Sequence, residues 1–237
     1  MPGKLEVGDT LGEAFSIYRD QAGVLLPVAF WLFLAVAIVN GLAGDNPALF
    51  PLVVVVSTVA GMLYTGMVVN LVGDLHDGRR DSSVGDLFRS VLPVLLPLIG
   101  AGILFGLGIG IGFVLLIAPG LYLLTIWAVI APAIVVERRD ILDAFRRSRQ
   151  LVKGHGWYVL GVVVVAFLLA IVVSLILNSI AADIADGPLV RIVFSALAST
   201  FTAPVEGLVA AVLYFRLRPL EAPAPPEPLA PPGPAAP

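Results

Sequence analysis

The sequence predicts an all-α integral membrane protein with six transmembrane helices and three cytoplasmic interfacial amphipathic helices. Three observations carry this: composition, long uncharged runs, and a one-sided distribution of Lys and Arg. Hydrophobic residues make up 59% of the chain and charged residues 13%, where a soluble domain carries about 25% charged. A water-soluble core could not hide that much apolar surface, so lipid is the natural solvent.

The apolar runs fall at 23–43, 50–72, 91–118, 121–136, 157–180 and 189–215. A helix needs about 20 apolar residues to span the hydrocarbon core. The fourth run is short, but its neighbour is long, and Pro119-Gly120 is the predicted turn between them. The runs are continuous rather than alternating, unlike barrel strands. Gly41, Ala43 and Gly44 mimic a signal cleavage site, yet the run before them exceeds a signal core, so it is read as a retained span.

Charge sets the expected orientation. With the N-terminus in the cytoplasm, Lys4 and Arg19, then Arg79, Arg80 and Arg89, then Arg138, Arg139, Arg146, Arg147, Arg149 and Lys153, and finally Arg216 and Arg218 all lie inside. Arg191 is the one base left outside, with Asp45, Asp183 and Asp186. Both termini are therefore expected in the cytoplasm. Arg far outnumbers Lys, and Ala, Gly, Pro and Val abound, which fits a GC-rich genome and a bacterial cytoplasmic membrane. Residues 1–218 form the membrane domain. Residues 219–237 hold nine prolines and no base, a composition that stays extended and builds no core. This tail is read as a disordered cytoplasmic segment, with docking of a protein partner as the alternative.

Three segments align without gaps. Thr10-Leu11-Gly12-Glu13-Ala14-Phe15 matches Ser83-Val84-Gly85-Asp86-Leu87-Phe88, and both match Asp140-Ile141-Leu142-Asp143-Ala144-Phe145. Each opens on a capping residue with a carboxylate three positions on, the capping-box spacing. Apolar residues then recur at helical spacing, as in Leu11, Ala14, Phe15 and Tyr18. The expected interfacial helices cover about 9–22, 83–91 and 140–154, each preceding a pair of spans. The architecture is then three hairpin repeats, unless helix starts merely resemble one another. In the third copy Arg139, Arg146, Arg149 and Lys153 gather within about 80–160° of a helical wheel begun at Ile141. They are candidate contacts for anionic lipid; the plainer reading is the positive-inside rule alone.

Within the third span Gly102, Gly106 and Gly110 have small-xxx-small spacing, as do Gly108 and Gly112. Such a stripe predicts close helix packing, with a flexible gating element as the alternative. Glu206 stands ten residues before Arg216, about 15 Å along a straight helix, near the bilayer midplane. A carboxylate there is costly and normally faces the bundle interior. Pro204 frees a backbone carbonyl, and Thr200 and Thr202 make the vicinity polar. Two readings stay open: a protonated Glu206 that bonds the freed carbonyl and fixes packing, or a proton- or cation-coupled site in a polar cavity. With no cysteine and only His76 and His155, no catalytic or metal constellation is evident, and no cofactor or nucleic-acid contact is expected.

The stretch from Pro119 to Trp157 contains Pro119-Gly120, Tyr122, Trp127, Pro132, Glu137, Ala144, Arg147-Ser148, Leu151-Val152-Lys153-Gly154 and Trp157. It resembles the membrane domain associated with glycerophosphoryl diester phosphodiesterases and related multi-span bacterial membrane proteins, as does the opening Leu11–Arg19. The resemblance implies a membrane architecture. Fused members of that family carry their chemistry on a separate barrel with a His-Arg pair, a Glu-x-Asp and a His-Asp. Here His76-Asp77 stands without the first two, so the catalytic activity is not expected. The predicted function is a non-enzymatic membrane protein that organises lipid or assists a membrane partner. The alternatives are a small transporter or transporter subunit using Glu206, and an enzyme acting on lipid headgroups.

Overall fold

The computed structural model describes residues 6–44, 46–78, 84–184 and 187–220. Lys4, Arg79, Arg80, Ser83, Asp45, Asp186 and the Pro-rich tail beyond Leu220 lie outside the described residues, as does the side chain of Asp183. Among the described residues every element is helical: α1 (Val7–Asp20), α2 (Ala22–Ala43), α3 (Phe50–His76), α4 (Val84–Val91), α5 (Leu95–Leu115), α6 (Ile117–Ile126), α7 (Ile130–Glu137), α8 (Ile141–Val152), α9 (Gly156–Ile184) and α10 (Pro188–Leu217). Six helical stretches are long and apolar enough to cross a membrane: Ala22–Ala43, Pro47–His76, Val84–Leu115, Ile117–Glu137, Gly156–Ile180 and Leu189–Leu220. The protein is an all-α, multi-pass membrane protein.

The sixth span is the most buried of them. It packs on α2, α3, α9 and α1, and Leu208, Val212, Leu213 and Tyr214 of α10 are buried in one core cluster with Val68, Val69 and Val72 of α3. Gly207 sets the approach between these helices: a Cβ there would stand 3.1 Å from Val68. The opposite condition holds on the rim, where Leu42, Leu96, Val114, Leu116 and Ile117 are exposed. So large an exposed apolar surface matches lipid rather than water.

The three aligned segments form α1, α4 and α8. Their fifth positions, Ala14, Leu87 and Ala144, are all buried, while the adjoining Phe15 and Phe88 are exposed and Phe145 is half-buried. In the first and third copies the predicted caps do not form; Ser83 of the second lies outside the described residues. α1 begins at Val7, placing Thr10 inside the helix, and Asp140 holds the N-cap position of α8 without accepting a backbone hydrogen bond. Burial of the inner face, not capping, therefore fixes these helix starts.

The boundary between the third and fourth spans differs from the expected one. The chain turns at Leu116, whose backbone is extended, and Pro119-Gly120 lies within α6. Proline suits a first turn because its missing N–H has no intrahelical partner there. Gly120 serves packing instead: a Cβ would meet the Phe113 ring at 2.7 Å. The fourth span, read as one run over 121–136, is broken at Trp127–Val129 into α6 and α7. Pro132 supplies a local cause, since it has no N–H to offer the carbonyl of Ala128. The glycine stripe is also only partly a contact. Gly102 closes on Met62, Gly108 on Trp127 and Gly112 on Gly120, whereas Gly106 and Gly110 face open space.

Candidate functional site

Glu206 sits two residues past the kink-prone Pro204 of α10. Thr200 and Thr202 do not gather around it. Their hydroxyls donate to the carbonyls of Ala196 at 2.7 Å and Ala198 at 2.9 Å along their own helix, the usual way such residues satisfy themselves. Pro204 is buried. Among the described residues no hydrogen bond or ion pair engages Glu206; the bond to a freed carbonyl, one of the two readings open from the sequence, is not made.

The carboxyl instead faces a cleft of about 270 Å³. Five of the six spans line it, through Thr65, Phe105, Ala128, Phe167 and Val209 together with Glu206 itself. Thr65 and Glu206 bring the polar side chains; every other lining residue is apolar. Glu206 and Phe167 are both exposed, so the cleft can be entered from outside the bundle. A smaller cavity of about 90 Å³ lies alongside, lined by Gly102 and Met62 and sharing Phe105 and Ala128 with the first. Gly102 thus contributes room as well as contact. Thr65 was not singled out by sequence reasoning, because a lone threonine in a span is ordinary.

A second arrangement joins α8 to the bundle. Glu137 closes α7, and Arg138 then turns the chain in the left-handed region at φ 53°. The Arg147 Nε donates to both Glu137 oxygens, at 2.8 and 2.9 Å. Arg139 Nε donates at 2.7 Å and the Tyr214 hydroxyl at 2.8 Å. One carboxylate therefore ties α7, α8 and α10. Next to it, Ser148 donates to the Ile126 carbonyl at 2.8 Å and accepts from the Val129 N–H at 3.3 Å. These are backbone groups on either side of the break in the fourth span, and a hydroxyl is the smallest group that can serve both.

The other two interfacial helices are tied comparably. Thr10 and Tyr158 share a hydrogen bond between hydroxyls, and Arg216 donates to Glu13 at 2.8 Å and to the Asp9 carbonyl at 3.1 Å. Asn70 donates to Ser90 at 2.8 Å, joining α3 to α4. Ser90 and Arg147 occupy equivalent repeat positions, so two copies reach the bundle from the same place.

Outward, α8 presents Arg146, Arg149 and Lys153, all exposed. Arg146 pairs with Asp143 at 3.2 Å, and Arg139 is committed to Glu137. Among the described residues no ion pair involves Arg149 or Lys153. Leu142, within the same arc of the helix, and Trp157, just beyond its end, are 66% and 88% exposed. An outward face that mixes bases with large apolar side chains fits the headgroup boundary. Arg147 was counted with the other bases on sequence grounds. Its wheel position, about 240° from Ile141, was the signal that set it apart.

The chain matches no family model, no curated protein and no solved structure.

Proposed function

We propose that this protein is a non-enzymatic membrane protein that organises anionic lipid at the cytoplasmic leaflet. The observation that carries the reading is the outward face of α8, where Arg149 and Lys153 have no ion pair beside exposed Leu142. Its inner face is fastened by Arg147 and Ser148, so the bases are held on a rigid element. Lipid headgroups supply the missing anions, and the exposed apolar side chains enter the acyl boundary. The apolar lining of the Glu206 cleft favours this over a transporter, which needs a polar path for its cargo. The Pro119–Trp157 resemblance enters the proposal as one of membrane architecture, without the catalysis performed by that family's separate barrel.

The test is lipid retention. Changing Arg146, Arg149 and Lys153 together to Gln should strip anionic lipid from protein purified in mild detergent, since each nearby base contributes about 1 kcal/mol. Unchanged anionic lipid in the triple variant would leave these bases only a topological role. The cytoplasmic placement predicts that reporters fused in the loop 43–48 and at the C-terminus report opposite sides of the membrane; a same-side result would overturn it.

A further inference from the structure

Glu206 remains the one prominent group that the headgroup face does not use. It lies at mid-depth of the sixth span, without a partner among the described residues, on a cleft that opens at the apolar surface. An unpaired carboxylate among hydrocarbon is costly and marks a site in search of a counter-group. We propose that this cleft binds an apolar molecule carrying a single primary ammonium group, held as an ion pair by Glu206.

The lining selects the head group. Among the described residues no base lines the cleft, so a carboxylate or phosphate head would meet Glu206 with nothing to offset the repulsion. A bare hard cation takes about six or more oxygen ligands, and the lining offers two oxygen-bearing side chains, Thr65 and Glu206. No cluster of three His, Cys, Asp or Glu exists among the described residues. A primary ammonium needs less. Its N–H groups donate charge-assisted bonds to the carboxylate, and the Thr65 hydroxyl is a second acceptor on the same wall.

The lining also selects the body. Phe105, Leu124, Val163 and Phe167 present only hydrocarbon, and a pocket of this kind, mostly apolar with a few placed polar groups, is the usual form of a small-molecule site. Phe167 at its edge is 55% exposed. A ligand dissolved in the bilayer can therefore enter sideways, tail in lipid and amine on Glu206, without crossing an aqueous path. The broken fourth span supplies part of this wall through Leu124 and Ala128, and Gly102, with the small cavity beside it, leaves Phe105 room to move.

The experiment uses full-length protein in nanodiscs of phosphatidylcholine, with dodecylamine, dodecanol and dodecanoic acid as probes, read by intact-complex mass spectrometry. Wild type should retain dodecylamine at least tenfold more than either of the others. Glu206→Gln, nearly isosteric, should bring amine retention down at least tenfold, to the dodecanol level. Ala210→Leu, a half-buried lining position that narrows the cleft, should reduce amine retention while Glu206 is intact. Equal retention of amine and alcohol by wild type would overturn the proposal without recourse to any variant, and so would a folded Glu206→Gln protein that keeps the amine. The triple Gln variant on α8 should hold dodecylamine as wild type does, which separates this site from the headgroup face.

Discussion

Two glutamates of one chain meet opposite fates. Glu137 accepts from Arg147, Arg139 and Tyr214 and fastens three helices. Glu206 accepts from nothing among the described residues and looks into an apolar cleft. The difference separates architecture from a site. A carboxylate whose lone pairs are filled by the fold is held for its position, whereas one left open at membrane depth has a cost that only function or a bound partner offsets.

The comparison breaks most visibly at Glu137. Side chains of Glu137 and Arg147 are each 12% exposed; removing Glu137 takes the shared acceptor from Arg147, Arg139 and Tyr214, and removing Arg147 leaves the nearly buried carboxylate to Arg139 and Tyr214 alone. Glu137→Ala should lower stability by about 3–5 kcal/mol and Arg147→Ala by less, read as a fall in unfolding midpoint in mild detergent. Arg147→Lys should recover only part, since an ammonium cannot reproduce the two bonds of the guanidinium. A neutral outcome for all three would show that Glu137 is no better held than Glu206.

Ser148→Ala comes next. It strands the Val129 N–H and the Ile126 carbonyl at the break in the fourth span. Leaving such groups unsatisfied costs about 1–3 kcal/mol. Hydrogen exchange should accelerate at Val129 and its neighbours while the far ends of α9 and α10 stay protected. Uniform acceleration would mean that Ser148 supports the whole bundle rather than the break.

How much of this was legible follows the range of the interactions. Each span could be read because hydropathy is local, and the paired inner positions Ala14, Leu87 and Ala144 followed from periodicity. Glu206 stood out because the one other charge in its run, Arg191, lies at the run's very start. The Glu137 cluster was hidden because two of its three partners lie 10 and 77 residues away, and neither Arg147 nor Tyr214 is unusual alone. The broken fourth span was half legible: Pro132 points to a freed carbonyl at Ala128, but the hydroxyl that repairs the break comes from α8. The glycine stripe misled because spacing alone does not say which side of a helix meets a neighbour.

A smaller effect is expected at the Arg216–Glu13 pair, 2.7 Å apart with side chains 26% and 32% exposed. Water and salt reach this pair, so Glu13→Gln should cost less than about 1 kcal/mol. The loss should shrink further as ionic strength rises, which a salt series of unfolding midpoints would read. A salt-independent loss as large as that of Arg147→Ala would place this pair with the buried cluster.

The smallest effect on stability is expected at Glu206, and it bears hardest on the comparison. Had the carboxyl bonded the carbonyl freed by Pro204, Glu206→Leu would strand that bond and weaken α10, while Glu206→Gln would preserve it. No such bond exists among the described residues, and the side chain borders a cleft rather than packed atoms. Neither substitution then removes a contact, and surface-like changes of this kind stay within about 0.5 kcal/mol. Leucine is also at home in hydrocarbon where a carboxylate is not, so Glu206→Leu should unfold no earlier than wild type, and by the cost of a mid-membrane acid it should unfold somewhat later. Unfolding midpoints of wild type, Glu206→Gln and Glu206→Leu, measured without added amine, give the answer. A loss of about 2 kcal/mol or more in the leucine variant, the size of a stranded polar group, would mean that Glu206 has a partner in the fold after all, and that the two glutamates differ in degree rather than in kind.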